Sequence, residues 1–273
     1  MIRMIREMNL LNRKIEKLAT IDMQQDNRKH ETDFGFKRVA EEDKARQVRE
    51  VFDSVAPKYD LMNDVLSFGM HRLWKKYAIY KADVARGMKV LDLAAGTADL
   101  SLQFAKKVGR DGEVWPTDIN RSMLSIGARR MREAGFNMPV VQCDCENLPF
   151  ADDTFHVVMV SFGLRNMTHK DRALSEMCRV CRPGGKVMVL EFSKVNRLLA
   201  PFYDFYSFHL MPWLGGKISG DSESYRYLPE SIRMHPSQPV LAEMMRTAGL
   251  ADVHWHNLTF GVCALHIGQK PLK

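Results

Sequence analysis

The sequence predicts an α/β fold: a seven-stranded, mostly parallel sheet with one antiparallel strand and helices on both faces. Three observations predict it. From residue 87 onward, short apolar runs alternate with amphipathic runs at helical spacing, the pattern of parallel strands joined by crossover helices. The first strand, Lys89–Ala94, breaks into Ala94-Ala95-Gly96-Thr97-Ala98 before the next helical run, so small residues leave backbone N–H groups bare at the strand's carboxyl end. Two closing runs, 253–259 and 261–267, flank Phe260-Gly261 as a hairpin, which sets one strand against the others.

Taken in order, the first eighteen residues place apolar side chains at helical spacing with basic residues between them. They read as an amphipathic helix able to lie on a membrane, and the reading in which Met23 is the true start stands beside it. Glu7 and Glu16 argue against a transit peptide, and the apolar core of a secretory signal is missing. Residues 24–30 are polar and predict disorder. Residues 33–86 read as helical, with runs at 41–52 and 67–80. The aromatic-rich stretch between these runs predicts a lid over a cleft, with Phe52, Leu66 and Trp74 serving as helix packing.

Strands follow at 89–94, 113–118, 139–143, 156–162 and 185–192, separated by helices at 98–107, 122–134 and 168–181. Arg182-Pro183-Gly184-Gly185 reads as a turn before the fifth strand. Residues 193–238 interrupt the alternation with aromatics and polar groups. The segment is too long for a bare loop, so it should carry helices and a role. Residues 239–248 are amphipathic and stop at Gly249.

Composition bounds the function. The chain has 273 residues, 45% hydrophobic and 27% charged, which is globular usage. No apolar run approaches a membrane span. A net charge of +7 favours an anionic partner: nucleic acid, an acidic membrane surface or an acidic substrate. A soluble basic enzyme fits the same charge. Five cysteines, an odd number, point to a reducing compartment and so to the cytoplasm. Cys178/Cys181 and Cys143/Cys145 have spacings that could hold zinc. The first pair falls in a predicted helix rather than a turn, so inert thiols and no metal are expected.

The loop after the first strand carries the chemistry. It has only Gly96, so the dinucleotide pattern G-x-G-x-x-G fails. Asp92 within the strand and Asp118 closing the next one instead fit an S-adenosylmethionine site, with Asp118 on the ribose hydroxyls.

Several further segments carry a resemblance: Val55-Ala-Pro-Lys-Tyr-Asp-Leu-Met-Asn-Asp64, Ser67-Phe-Gly-Met-His-Arg-Leu-Trp-Lys75, Ser161-Phe-Gly-Leu-Arg-Asn166, Leu190-Glu-Phe-Ser-Lys194 and 224–236. With them the chain resembles, from about Phe34 to its C-terminus, the ubiquinone and menaquinone biosynthesis C-methyltransferases of the class I S-adenosylmethionine-dependent fold. The resemblance implies an extension at 1–32 and one Rossmann-like methyltransferase domain at 33–273. Within that domain it implies a helical lid (33–86), a cofactor core (87–192), a substrate-side insertion (193–238) and a closing helix and hairpin. It implies S-adenosyl-L-methionine as cofactor, S-adenosyl-L-homocysteine as product and a polyprenyl benzoquinol or demethylmenaquinol as substrate. Expected partners are a quinone-biosynthesis complex, a second copy of the chain and an anionic membrane surface on which the enzyme sits peripherally.

By the same resemblance, Thr97, Asp118, Asp144, Cys145 and Ser161 bind cofactor, and Gly96 and Asp92 join them on the reading of the residues. Methylating a ring carbon requires a phenolic proton to leave, so a proton acceptor or a phenolate-stabilising cation is needed. Arg165 is the first candidate, Asn166 follows the same strand, and His71 is next. His209, Tyr225 and His235 complete the candidates.

The family's loop usually reads Gly-Gly-Thr-Gly-Asp, whereas here it is Ala95-Gly96-Thr97-Ala98-Asp99. That departure keeps open a non-catalytic, cofactor-binding role. A nucleic-acid methyltransferase is the other alternative, but Ser161-Phe-Gly-Leu-Arg lacks the Asn/Asp-Pro-Pro-aromatic motif of base-amine enzymes, and no arginine-rich stripe is present.

Overall fold

The structure is a computed structural model that describes residues 30–219 and 222–272. The readings of residues 1–29 lie outside the described residues.

Seven strands form one sheet: β3 (Lys89–Leu93), β4 (Glu113–Asp118), β5 (Val141–Gln142), β6 (Phe155–Ser161), β7 (Cys181–Phe192), β8 (Ala251–Leu258) and β9 (Cys263–Gln269). They lie in the order β5-β4-β3-β6-β7-β9-β8. Neighbours are parallel from β5 to β7, while β9 runs antiparallel to both β7 and β8. The chain leaves β3 to one side and returns to its other side at β6. A crevice therefore opens beyond the carboxyl ends of these strands.

The inner strands β3 and β6 are apolar almost throughout because both faces are covered, whereas no residue of the edge strand β8 is buried. Alternate residues feed opposite layers. Val90, Val157 and Met159 pack with Phe104 of α4 (Asp99–Val108) and Trp74 of α3 (Met70–Ala82). Leu91, Leu93, Val158 and Val160 pack with Leu174 of α6 (Lys170–Val180) and Leu241 of α10 (Gln238–Thr247). Burying each such side chain contributes about 1.5–3 kcal/mol. The sheet is therefore a stiff floor for the loops at its carboxyl edge.

The N-terminal part differs from the helical reading. Strands β1 (Glu31–Phe34) and β2 (Lys37–Ala40) form a hairpin that turns at Gly35, where φ is +60°. Four-residue strands are too short to show a period. Helix α1 (Glu41–Val55) and a 3₁₀ turn lead into α2 (Tyr59–Ser67), and Phe68 and Gly69 then adopt left-handed conformations before α3. That reversal splits the expected 67–80 helix at its start and folds α2 and α3 over the crevice.

Two further expectations are corrected. Helix α6 ends at Val180, and Cys181 opens strand β7, pairing with Phe155. The residue before Pro183 is disfavoured in a helix, which stops α6 early. The Arg182–Gly185 turn is thus absorbed into β7, with a register shift opposite Phe155–Val157. Strand β5 keeps only two of its five expected residues, as suits an edge strand beginning near Pro139.

Residues 193–238 carry helices as expected: α7 (Ala200–Phe205), a π-helical turn (Tyr206–Leu210), α8 (Met211–Ser219) and α9 (Ser222–Met234). The base of this insertion is closed on itself, because the Gln238 side chain donates to the Lys194 carbonyl at 3.0 Å and to Asn257 Oδ1 at 3.2 Å.

Candidate active site

Two connected cavities occupy the crevice. The wider one, about 380 Å³, is lined by Asp118, Asn120, Asp144, Cys145 and Asn166, with Glu42 and Arg49 of α1 across from them. The narrower one, about 110 Å³, is lined by Asp92, Thr97, Asp99, His71, Lys75 and Arg165, with Met211 and Tyr225 from the insertion. Ala94, Gly96, Ser161 and Phe162 border both, under Phe52 and Tyr59. Phe52 thus forms a wall of the site in addition to packing between helices.

The loop after β3 is built for backbone exposure. Ala94, Gly96 and Ala98 all have positive φ, at 50°, 55° and 61°. Alanine is strained there, by roughly 1–2 kcal/mol per residue. The chain tolerates this because the loop is pinned: Ala95 N donates to Thr117 O at 2.8 Å, and Gly96 N donates to Asp118 Oδ2 at 2.8 Å. Beside Gly96 the space is open, since a Cβ there would meet only Met123 Cε at 3.4 Å.

Asp118 closes β4. Its second oxygen accepts the Asn120 N–H at 2.8 Å. Burial pushes its pKa up, although these N–H donors pull the other way. The backbone N–H groups of Gly96, Ile119 and Asn120 all bond to this carboxylate, which still leaves lone-pair capacity for a hydroxyl. Ser161, at the end of β6, has a buried hydroxyl oxygen with no partner among the described residues. Asp144 is exposed, and Cys145 is buried behind it. Desolvation raises the Cys145 thiol well above its ordinary value, so the side chain stays a thiol and its contribution is backbone and shape.

Asp92 lies deeper than a ligand carboxylate needs. It accepts the Ser101 hydroxyl at 2.5 Å rather than loop N–H groups, and burial raises its pKa to about 7. Thr97 is tied to the covering helices. Its hydroxyl donates to Asp60 of α2 at 2.9 Å, and Arg130 of α5 (Arg121–Glu133) pairs with the same carboxylate while also reaching Thr97 at 3.3 Å. Lys75 of α3 adds a second tie, 2.9 Å from Asp99.

Arg165 is almost fully buried beside Glu191, with Nη1 3.1 Å from Oε1. The same nitrogen donates to the Phe162 carbonyl, and the guanidinium lies 5.6 Å from the centre of the Phe192 ring. Its Nε has no partner among the described residues. Asn166 lines the wider cavity, and its Oδ1 accepts the Tyr227 hydroxyl at 3.0 Å. The Nδ1 of His71 is 2.8 Å from the Ser67 hydroxyl, and burial lowers the ring's pKa.

The structure therefore gathers Asp92, Gly96, Thr97, Asp118, Asp144, Cys145, Ser161, Arg165, Asn166, His71 and Tyr225 around one crevice. It does not bring His209 there: that ring is exposed and stacks on Phe205 at 5.1 Å. His235 is buried away from both cavities, with neither ring nitrogen bonded among the described residues. Sequence reasoning gave no role to Glu191, Asp60 or Arg130. Glu191 closes β7 as Asp118 closes β4, a signal that could have found it. Nothing local marks Asp60 or Arg130.

The residues fit S-adenosylmethionine: a carboxylate with spare lone pairs stands where a ribose diol would bind, an unpaired hydroxyl sits at the crevice floor, and the loop presents open backbone. Comparison with known proteins agrees. The model of the ubiE/COQ5 methyltransferase family matches residues 37–270. The ubiquinone/menaquinone biosynthesis C-methyltransferase UbiE of Bordetella avium is 60% identical over 239 residues, covering 88% of this chain and 93% of its own. Its counterpart in Cupriavidus metallidurans is 59% identical, covering 88% of this chain and 99% of its own. Among solved structures, a SAM-dependent methyltransferase from Aquifex aeolicus superposes with a TM-score of 0.52 at 18% identity, covering 71% of this chain and 88% of its own. That likeness is one of fold.

Proposed function

The chain belongs to the ubiE/COQ5 methyltransferase family, and from that premise we infer how its crevice works. It is an S-adenosylmethionine-dependent C-methyltransferase of ubiquinone and menaquinone biosynthesis, acting on a polyprenyl quinol. Bound S-adenosylmethionine supplies an electrophilic sulfonium methyl. Our reading gives the wider cavity to the nucleoside, with Asp118 on the ribose and Asp144 with the Cys145 backbone at the adenine. Gly96 and Ser161 then border the junction assigned to the reactive end, with Thr97 beside it in the narrower cavity, and Asp92 braces the helix that follows the loop through Ser101.

The quinol ring occupies the narrower cavity. A neutral aromatic carbon attacks poorly, and loss of the phenolic proton moves charge onto the carbon beside it. The observation that carries our assignment is the unpartnered Nε of Arg165, buried on this wall and oriented by Glu191. Its N–H donates to the developing phenolate oxygen. His71, which burial keeps neutral near pH 7, accepts the proton on the same wall. Asn166 holds the Tyr227 hydroxyl and so shapes the boundary between the two cavities. Water is kept out by Phe52 and Tyr59.

The test is Arg165→Ala, with cofactor affinity and methyl transfer to a demethylated quinol measured separately. Cofactor binding within a few-fold of wild type with turnover lost supports the assignment, and wild-type turnover removes it. The substrate's isoprenoid tail makes it a bilayer lipid, so the enzyme works at a membrane surface. No described helix is long and apolar enough to cross one.

A further inference from the structure

The continuous helical run from Ala200 to Ser219 is amphipathic in reverse. Tyr203, Ser207, Met211 and Gly215 face inward at four-residue spacing, and Ser207, Met211 and Gly215 are buried. The outward stripe is Phe202, Phe205, His209 and Trp213, and the three large rings are 75%, 66% and 56% exposed. Leu198, 84% exposed, extends the stripe at its start. A soluble helix normally shows water the opposite face.

Three further observations say what covers it. Between Asn196 and Lys217 the only carboxylate is Asp204, and that group pairs with Arg233. The one acid near the stripe is therefore a half-exposed carboxylate neutralised by Arg233, while Arg197 precedes the stripe and Lys217 ends it. The Lys217 ammonium stands 5.4 Å over the Trp213 ring. Aromatic rings with cations beside them suit the boundary between acyl chains and anionic headgroups. Finally, the inward side of the same helix supplies Met211 to the narrower cavity, beside Leu66, Tyr225 and Leu228. The stripe is thus the outer surface of the cavity wall. Phe68, 77% exposed and 5.8 Å from the Tyr206 ring, continues it on the α2–α3 reversal.

We propose that the Leu198–Lys217 ridge is the surface on which the enzyme docks to an anionic lipid bilayer, with Phe202, Phe205 and Trp213 inserted among the acyl chains beside the substrate cavity. Docking there sets the cavity against the phase that holds the substrate, so the tail need not enter water. The inference rests on the quinol reading for what the bilayer delivers, but not for the docking itself.

The test uses the full chain and vesicles of phosphatidylcholine with and without phosphatidylglycerol. Wild type should sediment with the anionic vesicles, and brominated lipid should quench tryptophan fluorescence, a signal that Trp213→Phe diminishes. Phe202→Ser/Phe205→Ser/Trp213→Ser should weaken vesicle partition by at least about tenfold, and Arg197→Glu/Lys217→Glu should abolish the preference for anionic lipid. Both variants should keep wild-type turnover of a short-tailed, water-soluble quinol. Vesicle binding unchanged in the triple variant overturns the proposal. So does a wild type that ignores vesicles, or a triple variant that turns a dimer into a monomer without changing lipid binding. If vesicle binding behaves as expected while wild type methylates no quinol, the substrate reading fails and the docking surface stands.

Discussion

The guanidinium of Arg165 and the carboxylate of Glu191 meet at 3.1 Å with side chains only 6% and 1% exposed. Glu191 also accepts the backbone N–H groups of Arg165 and Phe192, at 3.2 and 2.9 Å. One acid near the end of β7 thus sets both the backbone and the side chain of the arginine in the 3₁₀ turn that follows β6.

Removing that acid leaves a buried charge without its partner, which costs about 3–5 kcal/mol. Glu191→Gln is expected to lower the denaturation midpoint and to reduce kcat more than it changes cofactor affinity. Arg165→Ala is expected to lower kcat by roughly 10²–10³, the usual loss for one preorganised donor to developing charge. Chemical denaturation and single-turnover assays read the two effects apart.

Asp118→Asn keeps the shape of the ribose position and removes its charge. Hydrogen bonds to a charged group are worth about 1.5–3 kcal/mol, so cofactor affinity should fall by about tenfold to a hundredfold in titration calorimetry. Fold stability should also fall by about 1–3 kcal/mol, because the single amide oxygen accepts only one of the Gly96 and Asn120 N–H groups and the other is left facing an NH2 donor.

Asp92 makes stability depend on pH in a direction opposite to an ordinary paired carboxylate. Its pKa rises from the ordinary 3.8 to about 7 on folding, chiefly through burial. The folded state therefore holds the proton more tightly. This contribution is fully present below about 4 and is lost as pH climbs toward 7. Asp92→Asn should gain stability relative to wild type across that window, reaching up to about 4 kcal/mol at pH 8. Denaturation of both proteins at pH 4 and pH 8 checks it, and a gap independent of pH would refute it.

Ala98 and Gly127 are coupled. A Cβ on Gly127 would lie 2.9 Å from the Ala98 Cβ and 3.1 Å from the Gly96 carbonyl oxygen. Gly127→Ala should cost about 1–3 kcal/mol by overpacking, despite the gain in helix propensity. Placed on an Ala98→Gly background, the same change should cost less by at least about 0.5 kcal/mol. A double-mutant cycle in denaturant measures this directly.

Asp60 joins the covering helix α2 to Thr97 and Arg130. The Asp60 and Arg130 side chains are half-exposed, so Asp60→Ala should cost only about 1 kcal/mol of global stability. It should nonetheless speed proteolysis of residues 41–82 and reduce the protection that added cofactor gives there.

The parts of this architecture that sequence made legible share one property: the signal was local. Val157–Val160 is a continuous apolar run because its two faces serve two cores, and Asp118 and Ser161 could be placed because each closes such a run. Gly96 and its small neighbours announced the tight elbow. What escaped was non-local or too short. The β1–β2 hairpin has no room for a period, and Asp60 and Arg130 meet only because α2 folds back across α5. Arg165 could be placed at the crevice because it follows the fourth strand. Its dependence on Glu191 was not legible, because the two are joined by strand pairing between β6 and β7 and not by sequence proximity. His209 was misplaced because an aromatic-rich segment does not say which side of its helix faces in.

The tie between Gln238 and Lys194 gives the insertion a narrow neck. Everything from 193 to 238 leaves and re-enters at one point, beside strands whose order it does not alter. Lineages could therefore exchange this module for one with a longer or shorter hydrophobic groove while inheriting the donor half intact. The architecture separates the module that walls the narrower cavity from the half that carries Asp118 and the loop after β3.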